Sequence, residues 1–567
     1  MSVSSAGSAL RRHFGLLRPS ILRVWVFAVI AGLLSLSPTV YMMEVYGRVI
    51  TSRSMETLLL LTILILGVYA VMELLGWVAS SMMERAARDF DDRLSPKIID
   101  IVFSVTLNKA GGGQQSIGDL RTLREFLYSP AFLAMLEAPV SIVFLGIMFA
   151  ISPVLGYFSI VGALIQLAIV IVTERKVQPP LAEANIAAFA AQGFANNAQR
   201  NAEVVEAMGM HQGVHDRWMG LQKRFLYLQA RASDYAGSLT TASKSVMLIQ
   251  GSAGLGLGFW LMTQGQIAHG GVAILGGVVG GKVLQPIVQV VSQWKLVAEA
   301  RDAFRRLDDV LGDISDQVPS MELPAPLGNL SVENVTAGAP GSSLPIIHGV
   351  TFALPAGQCL AVIGPSASGK TTLARVLLGV WPVLGGKVRL DGADIHAWNK
   401  LELGPYVGYL PQDVELFEGS LAENIARFGD VDEQQLVDAM KLAGLEELVA
   451  SWPDGAETQI GVDGAFLSGG QRQRVGLARA VYGSPRFIVL DEPNSSLDEK
   501  GDAVLLEMLF ELKRRDATVL VVTHRKTILP AVDKLLVMRD GRVQVFGEKN
   551  QVLAALQPQA TPAGNPA

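Results

Sequence analysis

The chain has a single cysteine in 567 residues, Cys359, and few charges: 17% of its residues are Asp, Glu, Lys or Arg, while 50% are hydrophobic. One thiol cannot close an intramolecular disulfide and has no partners for a thiolate zinc site, so neither device staples this fold. Its ordinary role is that of a small buried core residue. The shortage of charge excludes more. Soluble domains are roughly a quarter charged, so part of this chain is dissolved in lipid. A net charge of −5 argues against a nucleic-acid partner. A cleavage site is also missing. Arg11, Arg12 and Arg18 precede an apolar stretch, as in a signal peptide, but that stretch runs from Ile21 to Met43 and no small-residue motif follows it. It reads as a first transmembrane helix, preceded by a short amphipathic interfacial stretch from Leu10 to Leu17.

A bilayer core needs about 20 mostly apolar helical residues. Windows of that kind run from Ile21 to Met43, Thr57 to Ser80, Ala131 to Ile151, Val154 to Thr173, Ser243 to Met262 and Ile267 to Pro286. Six spans put both termini on one side. The long connections, about 81–130 and 174–242, are rich in Arg and Lys, whereas Arg48 and Arg53 are the exceptions in the short opposite loops. Positive residues stay inside, so the termini and long loops are expected in the cytoplasm. Ala, Glu, Arg, Gln and Leu dominate those loops, which predicts helical extensions, with Ser116 to Phe126 and Val204 to Trp218 as candidate coupling segments. Glu73, Glu137, Lys244 and Lys282 fall in or near the spans, where a charge costs roughly 3 kcal/mol. They read either as a polar translocation path or as headgroup contacts and bundle-facing pairs.

After the charged helix around Ala303 to Leu311 comes a proline-rich stretch, Pro319 to Gly328, and then strands alternating with helices, the pattern of an α/β domain. The expected layout is an interfacial segment (1–19), an all-α transmembrane domain of six helices (20–317), a linker (318–328), an α/β P-loop ATPase domain (329–555) and a disordered tail (556–567). The sharpest signal is GPSASGKT, Gly364 to Thr371, between the apolar strand Leu360 to Ile363 and a helix from Thr372. That is a phosphate loop in its required context. Gly364, Ser366, Ser368 and Gly369 shape a backbone cradle for phosphates, Lys370 adds positive charge, and the Thr371 hydroxyl can ligate Mg²⁺, with Thr372 following in the helix. Downstream the strand Phe487 to Leu490 ends in Asp491, placed to hold the metal, and Glu492, placed to polarise the attacking water. Between them sits LSGGQ, Leu467 to Gln471, where Ser468 and the Gly469 and Gly470 amides at a helix start form an anion site.

With LSGGQ in place the chain resembles the ABC ATPase family. The resemblance implies that Ser468, Gly469, Gly470 and Gln471 face the ATP held by another subunit. It implies a Q-loop at Gln412 in YLPQD, reaching metal and water, a D-loop at Ser495 to Asp498, and a switch histidine at His524 in VVTHR. Each chain carries one LSGGQ, so the working unit is expected to be a homodimer binding ATP and Mg²⁺. One feature departs from the family: Thr336 to Ser343, TAGAPGSS, has no aromatic residue to stack on adenine. Stacking of about 1–3 kcal/mol is then absent or supplied elsewhere.

The order of membrane helices before ATPase, together with MEVYGRVITSRS and YLPQDVELFEGSLAENIARF, is similar to type I secretion ATPases of the protease-exporter kind. That likeness implies an unfolded polypeptide substrate with a C-terminal signal, a periplasmic adaptor (membrane fusion protein), an outer-membrane channel and residence in the bacterial inner membrane. Nothing before the first span has room for a peptidase, so leader cleavage is not expected. A lipid or small-molecule exporter would share every ATPase motif. A DNA-repair or translation ATPase would lack the six spans, and a silent regulator would not need Lys370, Asp491, Glu492 and His524 intact.

Overall fold

The computed structural model describes residues 9–108, 113–266, 270–312 and 323–556. It divides into two compact units, the first of residues 1–103 and 112–316, the second of residues 317–567 together with 104–111.

The first unit is helical. In chain order it contains α1 (Ala9–Leu34), α2 (Ser37–Glu44), α3 (Ile50–Ser52), α4 (Met55–Asn108), α5 (Gly113–Leu127), α6 (Pro130–Glu137), α7 (Val140–Ile151), α8 (Pro153–Arg200), α9 (Ala202–Ala207), α10 (His211–Thr263), α11 (Gly270–Ser292) and α12 (Trp294–Gly312). Four helical stretches are long and apolar enough to cross a membrane, and the pair α6–α7, bent by 44°, gives a fifth. The 23-residue α11, whose one charge is Lys282, lies where the sixth span is expected. The 54 residues of α4 make a rod about 80 Å long, well over twice a bilayer core. The long loops therefore do continue as helix.

Four expectations need correction. The stretch Leu10 to Leu17 is not a separate interfacial helix, because α1 runs on through Pro19. The first span is interrupted at Ser35 and Leu36, where the Ser37 hydroxyl bonds the Leu34 carbonyl. The third breaks at Ala138 and Pro139, since proline lacks the amide that would continue the ladder. Of the coupling segments, Ser116 to Phe126 lies within α5, but Val204 to Trp218 is split. Gly209, at φ +61, ends the turn after α9, and Met210 N bonds Val205 O before α10 begins. The start of the sixth span at 267–269, residues 318–322 of the linker and residues 557–567 of the tail lie outside the described residues.

Inside the membrane helices, polar residues are used sparingly and in pairs. Gln166 on α8 donates to the Ser243 carbonyl on α10, and the Ser243 hydroxyl donates back to Gln166 Oε1, both at 2.7 Å and fully buried. Gln250 Nε2 reaches the Phe158 carbonyl at 3.3 Å over Gly162, where any side chain would strike the Gln250 amide. Such reciprocal bonds satisfy groups that lipid cannot. Of the four charges expected near the spans, Glu73, Glu137 and Lys282 line one cavity of about 240 Å³, and Lys244 is exposed. Outside the apolar region, Arg306 on α12 grips Asp119 on α5 through two bonds of 2.7 and 2.8 Å, and Arg301 reaches Glu174 on α8 at 2.7 Å.

The second unit is α/β. Its strands are β1 (Leu330–Gly338), β2 (Pro345–Leu354), β3 (Cys359–Ile363), β4 (Val383–Leu390), β5 (Ala393–Asp394), β6 (Val407–Leu410), β7 (Phe487–Asp491), β8 (Thr518–Val522), β9 (Lys534–Arg539) and β10 (Arg542–Glu548). Its helices are α13 (Lys370–Leu377), α14 (Lys400–Leu403), α15 (Leu421–Ile425), α16 (Glu433–Leu442), α17 (Glu446–Ala450), α18 (Gly469–Val481), α19 (Glu499–Arg514) and α20 (Lys549–Leu556). An antiparallel sheet has the order β2-β1-β4-β5. A second sheet, β10-β9-β3-β8-β7-β6, is parallel except for β10.

The central strands β3, β7 and β8 read as unbroken apolar runs because both faces are covered. Alternate residues serve opposite cores. Cys359, Ala361, Ile488, Leu490, Val519 and Val521 pack with α16, α18 and α19, while Leu360, Val362, Phe487, Val489, Leu520 and Val522 pack with α13 and the antiparallel sheet. Cys359 is thus an inert core residue, its thiol pushed up to about 12 by burial.

Candidate functional site

The carboxyl ends of β3, β7 and β8 converge, and the loops leaving them carry most of the candidate residues. The turn from β3 into α13 is forced by its glycines. Gly364 (φ +158) would set a Cβ 2.2 Å from Met538 O, and Gly369 (φ +94) would set one 2.7 Å from Ile347 Cγ2. Lys370 is buried and turned back over the loop, its Nζ donating to Gly364 O (3.0 Å) and Pro365 O (2.8 Å). Burial pulls its pKa below the usual lysine range, against the favourable charges of Glu492 and Asp491. Ser366 is exposed, and Thr372 is buried beneath the loop.

Asp491 ends β7 with no exposed surface, and burial raises its carboxyl pKa above the usual carboxylate range. The neighbouring Thr371 hydroxyl favours the anion, yet neither carboxylate oxygen makes a hydrogen bond. Ser368 Oγ is likewise buried and unbonded. Unmade bonds of this kind cost about 1–3 kcal/mol each, so these atoms suit a ligand that supplies what they lack, a cation for Asp491 and an oxyanion for the loop.

Glu492 follows in the left-handed region at φ +49, its amide bonded to Val522 O at 2.9 Å. The side chain is held from both sides. Gln412 Nε2 donates to Oε2 at 3.3 Å, and His524 Nε2 lies 3.2 Å from Oε1. Lys370, Asp491, Glu492, Gln412 and His524, spread over 155 positions of sequence, therefore form one cluster.

Ser468, Gly469, Gly470 and Gln471 form a second group, at the start of α18. Ser468 Oγ accepts from Gln471 N (3.3 Å) while Gln471 Oε1 accepts from Ser468 N (2.8 Å), a reciprocal cap that leaves the glycine amides at the helix mouth. Asp498 caps α19 through Gly501 N at 2.8 Å, which holds its carboxyl below the usual range, and Arg474 reaches it at 3.4 Å. Ser468, Gly470, Gln471, Arg474 and Asp498 line a cavity of about 420 Å³. No hydrogen bond joins Ser468–Gln471 to the Lys370 loop among the described residues.

Two residues escape sequence reasoning. Gln473, buried on α18, donates to the carbonyls of Glu492 (3.3 Å) and Pro493 (3.0 Å). Arg474 ties α18 to Gly444 O at 3.0 Å as well as to Asp498. Their only signal is membership of the basic run RQRVGLARA, which looks like a solvated helix face. The stretch Thr336 to Ser343, expected beside the nucleotide base, closes β1 without a ring, and the exposed Leu344 and Ile346 follow it.

A family model described as ABC transporter matches residues 347–495. Along 96% of its length the chain is 38% identical to the type I secretion system ATP-binding protein PrsD of Rhizobium meliloti, covering 94% of that protein. This chain belongs to the type I secretion ABC transporters. The transporter is also 26% identical to the cyclolysin secretion/processing ATP-binding protein CyaB of Bordetella pertussis, with 96% of the chain and 77% of the relative covered. To the leukotoxin translocation ATP-binding protein LktB of Mannheimia haemolytica it is 24% identical, with 94% and 76% covered. A solved bacterial Atm1-family ABC exporter with ATP bound superposes at a TM-score of 0.82, covering 95% of the transporter and 97% of that chain, at 20% identity, a likeness of fold. The transporter is thus a multi-pass membrane protein that binds and hydrolyses ATP, with an α-helical membrane domain followed by an α/β ABC ATPase domain.

Proposed function

We propose that this transporter drives an unfolded polypeptide with a C-terminal signal across the bacterial inner membrane. It would act as a homodimer joined to a periplasmic adaptor and an outer-membrane channel, with the ATPase domain and termini in the cytoplasm. The observation that carries the chemistry is the Glu492 carboxylate held between Gln412 and His524 beside Asp491 and Lys370. The similarity to PrsD, whose name states type I secretion, supports the cargo class.

In this reading Gly364, Ser366, Ser368, Gly369, Thr371 and Thr372 cradle the phosphates, and Lys370 exchanges its two carbonyl bonds for phosphate oxygens. Thr371, Gln412 and Asp491 would hold Mg²⁺, which when bound neutralises charge on the phosphate oxygens. Glu492 accepts the proton of the attacking water as the water oxygen bonds to the γ-phosphorus and ADP leaves, with His524 holding the carboxylate on its other side. Ser468, Gly469, Gly470, Gln471 and Asp498 serve the ATP of the second copy, which is why the site needs two chains.

The test is the ATPase rate of the purified full chain in lipid, beside Glu492→Gln, with a candidate polypeptide present intact or lacking its C-terminal region. A rate that vanishes in the variant and changes only with the intact polypeptide supports the reading. If lipids or small amphiphiles alone change the rate, the chain exports those instead and the secretion reading falls.

A further inference from the structure

The loop that carries Gln412 leaves β6 and ends near Phe417, and both of its ends are tied to the single-turn helix α15. At the far end, the buried Asn424 accepts from Phe417 N and donates to Phe417 O, both at 2.9 Å. At the near end the tie is Arg427, just past α15. Its guanidinium donates to Gly404 O and Val407 O, each at 3.0 Å, where β6 begins. The same group donates to three carbonyls at the end of α18: Arg479 O (3.1 Å), Ala480 O (3.4 Å) and Tyr482 O (3.2 Å).

Five carbonyls on one side chain use all the donor directions that a guanidinium has. They also place its charge at the carboxyl end of α18, where the helix dipole is negative. Arg427 and Phe428 both stand at φ +58, a backbone region that non-glycine residues avoid, and such strain persists only where surrounding contacts over-determine it. Lysine could not replace it, since one ammonium has three donors and no planar fork.

We infer that Arg427 is a positioning residue for hydrolysis: it fixes the strand that delivers Gln412 against the far end of the helix that opens with the Ser468 motif. This rests on the proposed role of Gln412 beside Glu492. Arg427 touches neither the Lys370 loop nor Glu492 among the described bonds, so its loss should misplace Gln412 while leaving ATP capture intact.

The experiment uses the full chain in lipid, with turnover counted per nucleotide-binding site from titration with a fluorescent ATP analogue. Arg427→Met and Arg427→Lys should each lower kcat about tenfold, a displacement effect, with KM for ATP within twofold. On a Gln412→Ala background, adding Arg427→Met should cost less than a further twofold, because the residue it positions is gone. Arg427→Lys keeps the charge and most of the bulk, so it reports even where Arg427→Met folds poorly. An unchanged kcat per site in Arg427→Lys, or equal losses with and without Gln412, overturns the inference. If Gln412→Ala alone leaves turnover unchanged, the proposed role of Gln412 falls first.

Discussion

Gln473 offers a way to move the proposed catalytic carboxylate without touching it. Its amide donates to two consecutive carbonyls just past the carboxylate, those of Glu492 and Pro493, at 3.3 and 3.0 Å. Replacing it by leucine keeps the volume and removes the donor. Counting mainly the shorter bond, one buried carbonyl left unpaired costs about 2 kcal/mol. For a domain of this size that lowers Tm by roughly 4–8 °C. The kinetic effect should be larger than that loss suggests. Glu492 sits at φ +49, its amide bonded to Val522 O and its carbonyl to Ser495 N at 3.1 Å, while Gln473 is the side chain that holds the next carbonyl, that of Pro493. With that hold gone the strained peptide can rotate, and a side chain displaced by about 1 Å can lose up to a hundredfold in rate. Gln473→Leu should therefore lower kcat ten- to a hundredfold while KM for ATP stays within twofold, since the Lys370 loop is untouched. Gln473→Asn, with the amide one methylene short, should behave the same way. Steady-state ATPase kinetics with a thermal melt on the same preparation decide it. A kcat within twofold of wild type in both variants would show that Gln473 holds nothing that turnover needs.

Without an aromatic ring between Thr336 and Ser343, ATP should bind more weakly than in relatives that keep the ring, and GTP within about threefold of ATP, a difference below one stacking contribution; a nucleotide titration with strong ATP preference contradicts this. Cys359, its thiol raised to about 12, should resist maleimide at neutral pH and label only on denaturation. Because the unfolded thiol ionises near 8.5, its burial contributes stability that is complete below that pH and is lost as pH rises from there toward 12. Melts from pH 8 to 11 that fall less in Cys359→Ala than in the native chain bear this out, and parallel falls refute it. The Arg306–Asp119 grip has a buried carboxylate and a half-exposed arginine, so Asp119→Ala should cost about 1–2 kcal/mol after allowing for solvent screening. Exchanging the two residues should restore part of that loss in a melt, and no recovery would show that the pair is not the source.

Lys370, Asp491 and Glu492 were legible because each is a side chain of special chemistry at the end of an apolar strand or in a glycine loop, whereas Gln412 and His524 were reached only through the resemblance to ABC ATPases. The strand end and the glycine loop survive in the linear text. Gln473 and Arg427 were not legible, because their partners are main-chain carbonyls, which every residue has. A glutamine or arginine aimed at backbone looks the same in sequence as one aimed at water. The spans were found by hydropathy, which measures apolarity and not helix continuity, so the breaks at Ser35–Leu36 and Ala138–Pro139 passed unnoticed even though Pro139 was visible. Gln166, Ser243 and Gln250 were invisible for a third reason. Each is one polar residue in an apolar run, and only the packing of α8 on α10 says which answers which.

That last pairing has a mechanical consequence. Helices α8 and α10 are stitched together inside their apolar stretches by Gln166 and Ser243, so a tilt of one would carry the other with it. From Ser243 to the start of α10 at His211 is about 48 Å of unbroken helix. A rotation of only about 5° at the stitch would then swing the His211 end by roughly 4 Å, about three-quarters of the pitch of one helical turn. Two hydrogen bonds of ordinary length thus serve as a fulcrum, turning a change of angle too small to disturb side-chain packing near the stitch into a displacement of side-chain size at the tip.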